Sequence, residues 1–374
     1  MTPRGWSTAS RGARADRGAR PERSLAGRYM YLKRLLAGGV LAAALVLVAP
    51  VAQAAVGVTE IVGKDSDGPV TVYYPTRANA QPLKRGPFTL ALALDAAPAR
   101  GNGRLVVLSH GSGGSPWVHS DLGRALVDAG FVVAMPEHRA DNYKDMSTPG
   151  PESWKRRPAE VSRAIDAVGS EPRFKPLLAL DKVGMYGMSA GGHTALSMAG
   201  GRWSPARMKE HCETDIAEDF YSCVGLAARL NGGIFDGLKK TIALWVIRSR
   251  FQDATWYTHT DTRIAAVAAA VPYSADFDAA SLASPRVPLG IVTARKDKWL
   301  VPRFHSDRIL LACHPCDRIG DFATGGHGAL LSPLPPNLSG LLGDLLNDPP
   351  GFDRAEISEI NRRIAAFFVK HLLP

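Results

Sequence analysis

The sequence is poor in cysteine, in long apolar runs and, over most of its length, in excess charge of either sign. It has four cysteines in 374 residues and a single C-x-x-C pair, Cys313 and Cys316, with no second pair to complete a four-cysteine metal site. Its one sustained apolar run, Leu35 to Ala49, is interrupted by Gly38 and Gly39. It falls short of the roughly 20 residues a membrane-spanning helix needs. The formal charge of +10 is not spread along the chain. Residues 1–54 hold nine of the 45 basic side chains and two of the 35 acidic ones, which leaves 36 against 33, or +3, for residues 55–374. No long Lys/Arg run remains there, which argues against a nucleic-acid-binding or basic membrane-binding protein. An apolar fraction of 45% with 21% charged residues excludes a disordered, collagen-like or coiled-coil chain.

What is present begins with a leader. Lys33 and Arg34 precede the apolar run, Pro50 breaks it, and Ala52-Gln53-Ala54 is a small-x-small cleavage pattern. Residues 1–54 therefore read as a leader and signal peptide with cleavage before Ala55, and Met30 is an alternative true start. No cysteine follows the apolar run, so no lipid anchor is expected, and no stable membrane anchor remains after cleavage. Residues 55–374 read as one domain of a protein exported to the periplasm or the medium. In an oxidising compartment the even set Cys212, Cys223, Cys313 and Cys316 is compatible with two disulfides. Local pairing is the simplest scheme. Cys313-His314-Pro315-Cys316 follows a helical stretch (301–312) and precedes a strand, a setting that favours a structural clip over a redox site.

Short β-branched runs alternate with helical patterns in the mature region. Strands are expected at 70–74, 88–94, 104–109, 131–135, 182–186, 264–271, 287–293 and 317–322. Helices are expected at 121–129, 158–168 (with Pro158 in the first turn), 192–199 and 352–373. Buried continuous strands alternating with helices imply an α/β fold, a mostly parallel sheet covered on both faces. Residues 202–262 break that rhythm and read as a mainly helical insertion.

The chemistry is concentrated in Gly187-Met188-Ser189-Ala190-Gly191. G-x-S-x-G is weak as a pattern, but here it follows an expected strand and opens an expected helix, the setting of a nucleophile elbow. A hydroxyl needs a positioned base, and the chain order expected for such an elbow is Ser, acid, His. His327, in Gly325-Gly326-His327-Gly328, follows the last strand and is the candidate base; His305 and His314 fit that position less well. Asp297, after the strand 287–293, is the candidate acid, with Asp276 and Asp278 as rivals after the preceding strand. The candidate oxyanion donors are the backbone amides of Ala190 and of Ser112, in Ser109-His110-Gly111-Ser112-Gly113-Gly114. His110 is expected to orient that loop, and the loop matches neither glycine-rich nucleotide pattern. Trp117, His119, Trp256 and Tyr257 are aromatic candidates for either the cleft or the core.

These segments, together with Arg157-Pro158, resemble the α/β-hydrolase superfamily over about residues 60–370. Within it they are similar to the dienelactone-hydrolase-like branch related to platelet-activating-factor acetylhydrolases and bacterial polyester hydrolases. The resemblance implies an α/β-hydrolase fold and a serine esterase acting on a small-molecule or lipid-like ester, without metal or organic cofactor. Dienelactone hydrolases proper use a cysteine nucleophile. Ser189 therefore favours ordinary carboxylic esters. A lipase, polyesterase or peptidase on the same residues, or a non-catalytic binding protein with this fold, are the alternatives.

Overall fold

The computed structural model describes residues 55–374; the expected leader, residues 1–54, lies outside the described residues. The first strand, β1 (Ala55–Ile61), pairs antiparallel with β2 (Val70–Thr76). β3 (Gln81–Arg85) and β4 (Phe88–Leu94) form a hairpin that joins the same edge. The parallel part consists of β5 (Leu105–Ser109), β6 (Val132–Pro136), β7 (Val183–Met188), β8 (Ile264–Ala270), β9 (Leu289–Ala294) and β10 (Asp317–Phe322). The full ten-stranded order is β10-β9-β8-β7-β5-β6-β2-β1-β4-β3. This is an α/β-hydrolase type of architecture, mostly parallel with an antiparallel edge.

The side-chain period of a strand explains why the central strands read as unbroken apolar runs. In β5, Leu105 and Val107 belong to the core on one face, and Val106 and Leu108 to the core on the other. The first face is covered by α2 (Pro151–Ser170) and α3 (Ala190–Met198), through Val161, Ile165, Ala195 and Leu196. The second is covered by α1 (Ser120–Asp128) and α9 (Glu356–Leu372). Leu122 and Leu126 face inward from α1, and Ile357, Ile360, Ile364, Phe367 and Phe368 from α9. This is the 3.6-residue spacing visible in the sequence.

Residues 202–262 carry α4 (Pro205–Asp215), α5 (Phe220–Val224) and α6 (Asp236–Arg250). α7 (Ser306–Ala312) and α8 (Gly340–Leu346) lie in the connections on either side of β10. Both disulfides are formed, Cys212–Cys223 between α4 and α5, and Cys313–Cys316 between α7 and β10. They fit a protein folded in an oxidising compartment. No helix among the described residues is long and apolar enough to cross a membrane.

One expectation is corrected. Pro158 is not in a first turn: α2 starts at Pro151, after Gly150 at φ 78°, and Pro158 lies inside the helix. Pro151 takes the helix-opening position, where a missing N–H costs nothing. Pro158 instead leaves the Trp154 carbonyl without its helical donor.

Candidate active site

β7 ends at Met188, α3 begins at Ala190, and Ser189 alone makes the turn, at φ 57° and ψ −117°. This is a strained conformation for a residue with a side chain, and it lifts the hydroxyl off the strand end. The turn is tight because its flanks are glycine. A Cβ on Gly187 would run into the Gly191 carbonyl, and one on Gly191 into the Ser109 carbonyl.

Three residues from distant parts of the chain meet there. Ser189 Oγ lies 3.0 Å from His327 Nε2, and His327 Nδ1 lies 2.7 Å from Asp297 Oδ2. Asp297 Oδ1 accepts the amides of Trp299 and Leu300, each at 2.8 Å. The other carboxylate oxygen is thereby turned to the imidazole. The Trp299 ring stands 5.3 Å from the His327 ring. The rival carboxylates lie elsewhere. Asp276 is buried 3.1 Å from His193 Nε2, and Asp278 pairs with Arg202.

The loop after β5 runs beside this group. A Cβ built on Gly111 would stand 3.4 Å from Ser189 Cβ. The Gly111 carbonyl is held by three donors: His110 Nδ1 at 2.7 Å, the Gly114 amide at 3.1 Å and Arg157 Nη2 at 3.4 Å. His110 Nε2 accepts the His138 amide at 3.2 Å, so its proton sits on Nδ1 and donates. In a trans peptide the carbonyl and the following N–H point in opposite directions. Drawing the Gly111 oxygen inward therefore turns the Ser112 N–H away from those donors. The Ala190 N–H opens α3 and has no acceptor within the helix.

Beneath the loop lies a buried network that the sequence reading did not assemble. Arg157 Nη2 pairs with Asp141 Oδ2 at 2.8 Å, and Asp141 Oδ1 accepts Ser112 Oγ at 2.5 Å and the Gly113 amide at 3.1 Å. Burial opposes ionisation of Asp141, yet Arg157 and Ser112 hold its pKa below the usual value. Ser109 Oγ, His138 and Glu160 repeat the Ser-His-acid order at 2.7 and 2.5 Å. Ser109 and His138 are wholly sealed from solvent, so this second set braces the loop and meets no substrate. Burial pushes His138 and His110 well below the usual histidine range, and Glu160 upward. Arg157 and the Ser109–Gly114 loop stood out in the sequence; Asp141, His138 and Glu160 carry no motif.

Trp117 and His119 are core residues, while Trp256 is 43% exposed beneath Arg202 and Tyr257 packs against Trp203. A further polar group, His211, Asp219 and His305, brings its ligand atoms within 4.8 Å of one another. His305 Nδ1 accepts the Ser274 amide, so Nε2 carries the proton and donates to Asp219 Oδ2 at 2.9 Å. Asp219 also receives His211, Ser222 and the Val301 amide. The group is thus a satisfied hydrogen-bonded brace between the 202–262 segment and the connections after β8 and β9. A cation there would have to displace the His305 proton.

The family model of platelet-activating factor acetylhydrolase, isoform II, matches residues 95–148. That stretch contains β5, the loop beside Ser189, α1, β6 and Asp141. No curated protein matches the chain. The fold is of the α/β-hydrolase kind, and over that stretch the chain is similar to a family of ester hydrolases.

Proposed function

We propose that the chain is an exported serine esterase that cleaves carboxylic esters through an acyl-enzyme. Ser189 Oγ attacks the ester carbonyl carbon while His327 Nε2 takes its proton. Asp297 holds the Nδ1 proton and steadies the imidazolium. The amides of Ser112 and Ala190 receive the oxyanion. Collapse expels the alcohol, which takes the proton from His327. Water then attacks the acyl-serine through the same base, releasing the acid and restoring Ser189.

The observation that carries this reading is the continuous chain from Ser189 Oγ to His327 to Asp297, at 3.0 and 2.7 Å, on a serine held at positive φ. The partial family match favours a short acyl group on a lipid-like alcohol as the substrate. Export is supported by the leader pattern and the two disulfides. The test is labelling with a serine-selective fluorophosphonate alongside hydrolysis of p-nitrophenyl esters of graded chain length. Labelling at Ser189, with loss of hydrolysis in Ser189→Ala, is the expected result. An active Ser189→Ala variant overturns it, and a preference for long chains points to a lipase instead.

A further inference from the structure

Six methionines lie among the described residues, and five of them are sealed in the core. Met135, Met185, Met188, Met198 and Met208 are each 6% exposed or less, whereas Met146 is 48% exposed. Met146 follows β6, and its thioether lies across Gly113 in the loop beside Ser189. A Cβ built on Gly113 would stand 2.8 Å from Met146 Sδ and 3.0 Å from its Cε. The methionine thus fills the space that a side chain on Gly113, itself at φ 64°, would need.

The segment that carries Met146 is tied on both sides of it. Asn142 Oδ1 accepts the amides of Lys144 and Asp145 at 2.9 and 3.1 Å, and the Asn142 amide donates to the Asp145 carbonyl at 2.8 Å. The Thr148 amide donates to the Ala140 carbonyl at 2.9 Å. The Tyr143 amide, at 3.0 Å from the Gly114 carbonyl, joins this segment to the loop beside Ser189. An atom added to Sδ therefore presses on the Gly113 backbone. The neighbouring Ser112 amide, the proposed oxyanion donor, moves with it.

A thioether reacts with hydroperoxides without first ionising. With hydrogen peroxide, the sulfur lone pair attacks one oxygen and the O–O bond breaks. Sulfur is oxidised to the sulfoxide. The proton of the attacked oxygen passes to the other, which leaves as water. No thiol competes for the oxidant, because all four cysteines are paired in disulfides.

We propose that Met146 is an oxidation site through which hydroperoxides switch off hydrolysis at Ser189. The sulfoxide replaces a soft apolar contact with a larger, polar one and pushes the Ser112 amide off the oxyanion position. The loss of activity rests on the esterase reading; the site of oxidation and the shift of the loop do not.

The test treats the full chain with hydrogen peroxide and maps the added oxygen by peptide mass spectrometry. Expected is one oxygen on Met146 ahead of the five buried methionines, with faster hydrogen exchange over residues 111–114. The kcat for a short p-nitrophenyl ester should fall roughly tenfold or more, and methionine sulfoxide reductase should restore it. Met146→Leu, close to methionine in volume, should start within about twofold of the parent and keep its activity in peroxide. Oxidation that spares Met146 overturns the proposal. So does full activity with Met146 oxidised, or equal inactivation of Met146→Leu. An untreated chain that hydrolyses no ester sinks the esterase reading instead. Met146 is then judged by mapping and exchange, where unchanged exchange at residues 111–114 overturns its effect on the loop.

Discussion

Arg157 Nη2 stands 2.8 Å from Asp141 Oδ2, and neither side chain has any exposed surface. The pair holds the loop beside Ser189 from two sides: Asp141 takes the Ser112 hydroxyl and the Gly113 amide, and Arg157 takes the carbonyls of His110 and Gly111. Removing one partner leaves the other charge buried and alone. Arg157→Met should therefore cost roughly 3–5 kcal/mol of stability. A double variant, Arg157→Met with Asp141→Leu, should recover much of that in thermal denaturation. Its kcat for a short ester should stay low, because the loop loses the Arg157 bonds to the His110 and Gly111 carbonyls and the Asp141 bonds to Ser112 and Gly113. Full recovery of both stability and kcat would show the pair to be packing alone.

The acid assignment separates by kinetics. Ser189→Ala and His327→Ala should each lower kcat by roughly 10⁵-fold. Asp297→Asn should cost about 10⁴-fold, since the imidazole would lose its fixed tautomer. Asp276→Asn should stay within roughly tenfold, because Asp276 faces His193 rather than His327. A larger loss at Asp276 than at Asp297 would refute the assignment.

Two glycines near Ser189 should behave differently when changed to alanine. At Gly187 the new Cβ meets the Gly191 backbone, which cannot yield, so Gly187→Ala should lose more than about 3 kcal/mol or fail to fold. At Gly111 the Cβ would stand 3.4 Å from Ser189 Cβ, an ordinary contact distance. Gly111→Ala should fold normally yet crowd the reacting centre and lower kcat/KM. Circular dichroism melts beside steady-state rates distinguish the two.

Acid sensitivity has an identifiable source in His119. It is buried without a hydrogen-bond partner on either ring nitrogen, and burial lowers its pKa from 6.5 to about 4. Between those values the unfolded chain binds a proton that the folded one does not, so stability falls as pH drops through that window and levels off below it. The contribution is about 3 kcal/mol. His119→Leu should flatten the pH dependence of urea midpoints between pH 6.5 and 4; an unchanged slope would remove His119 as the cause.

The Cys212–Cys223 bridge closes a loop of sequence separation 11. In the chain-entropy account such a loop is worth about 3 kcal/mol. Replacing both cysteines with serine should lower the melting temperature and loosen α4 and α5, as read by hydrogen exchange. The shorter Cys313–Cys316 clip, of separation 3, should matter less.

The sequence by itself determined what depends on local pattern. Unbroken apolar runs gave the buried parallel strands, and the spacing of Ile357, Ile360, Ile364 and Phe368 gave the closing helix. The strand–Gly-x-Ser-x-Gly–helix order marked Ser189 as a turn residue, because the steric demand that excludes side chains at Gly187 and Gly191 acts over a few residues. Pro158 misled because a proline at a helix start and a proline tolerated inside a helix read alike. Tertiary structure alone decided which carboxylate faces His327. Asp276 and Asp297 each follow a strand, and only the closing of the 289–297 and 317–327 segments over Ser189 turns one toward the imidazole. It also decided that Asp141, Arg157, His138 and Glu160 form one buried network beneath the Ser112 loop. His138 and Asp141 follow β6 while Arg157 and Glu160 lie on α2, and apart from Arg157 none belongs to a recognisable pattern; what joins them is the need of each buried charge and ring nitrogen to find a partner once water is excluded.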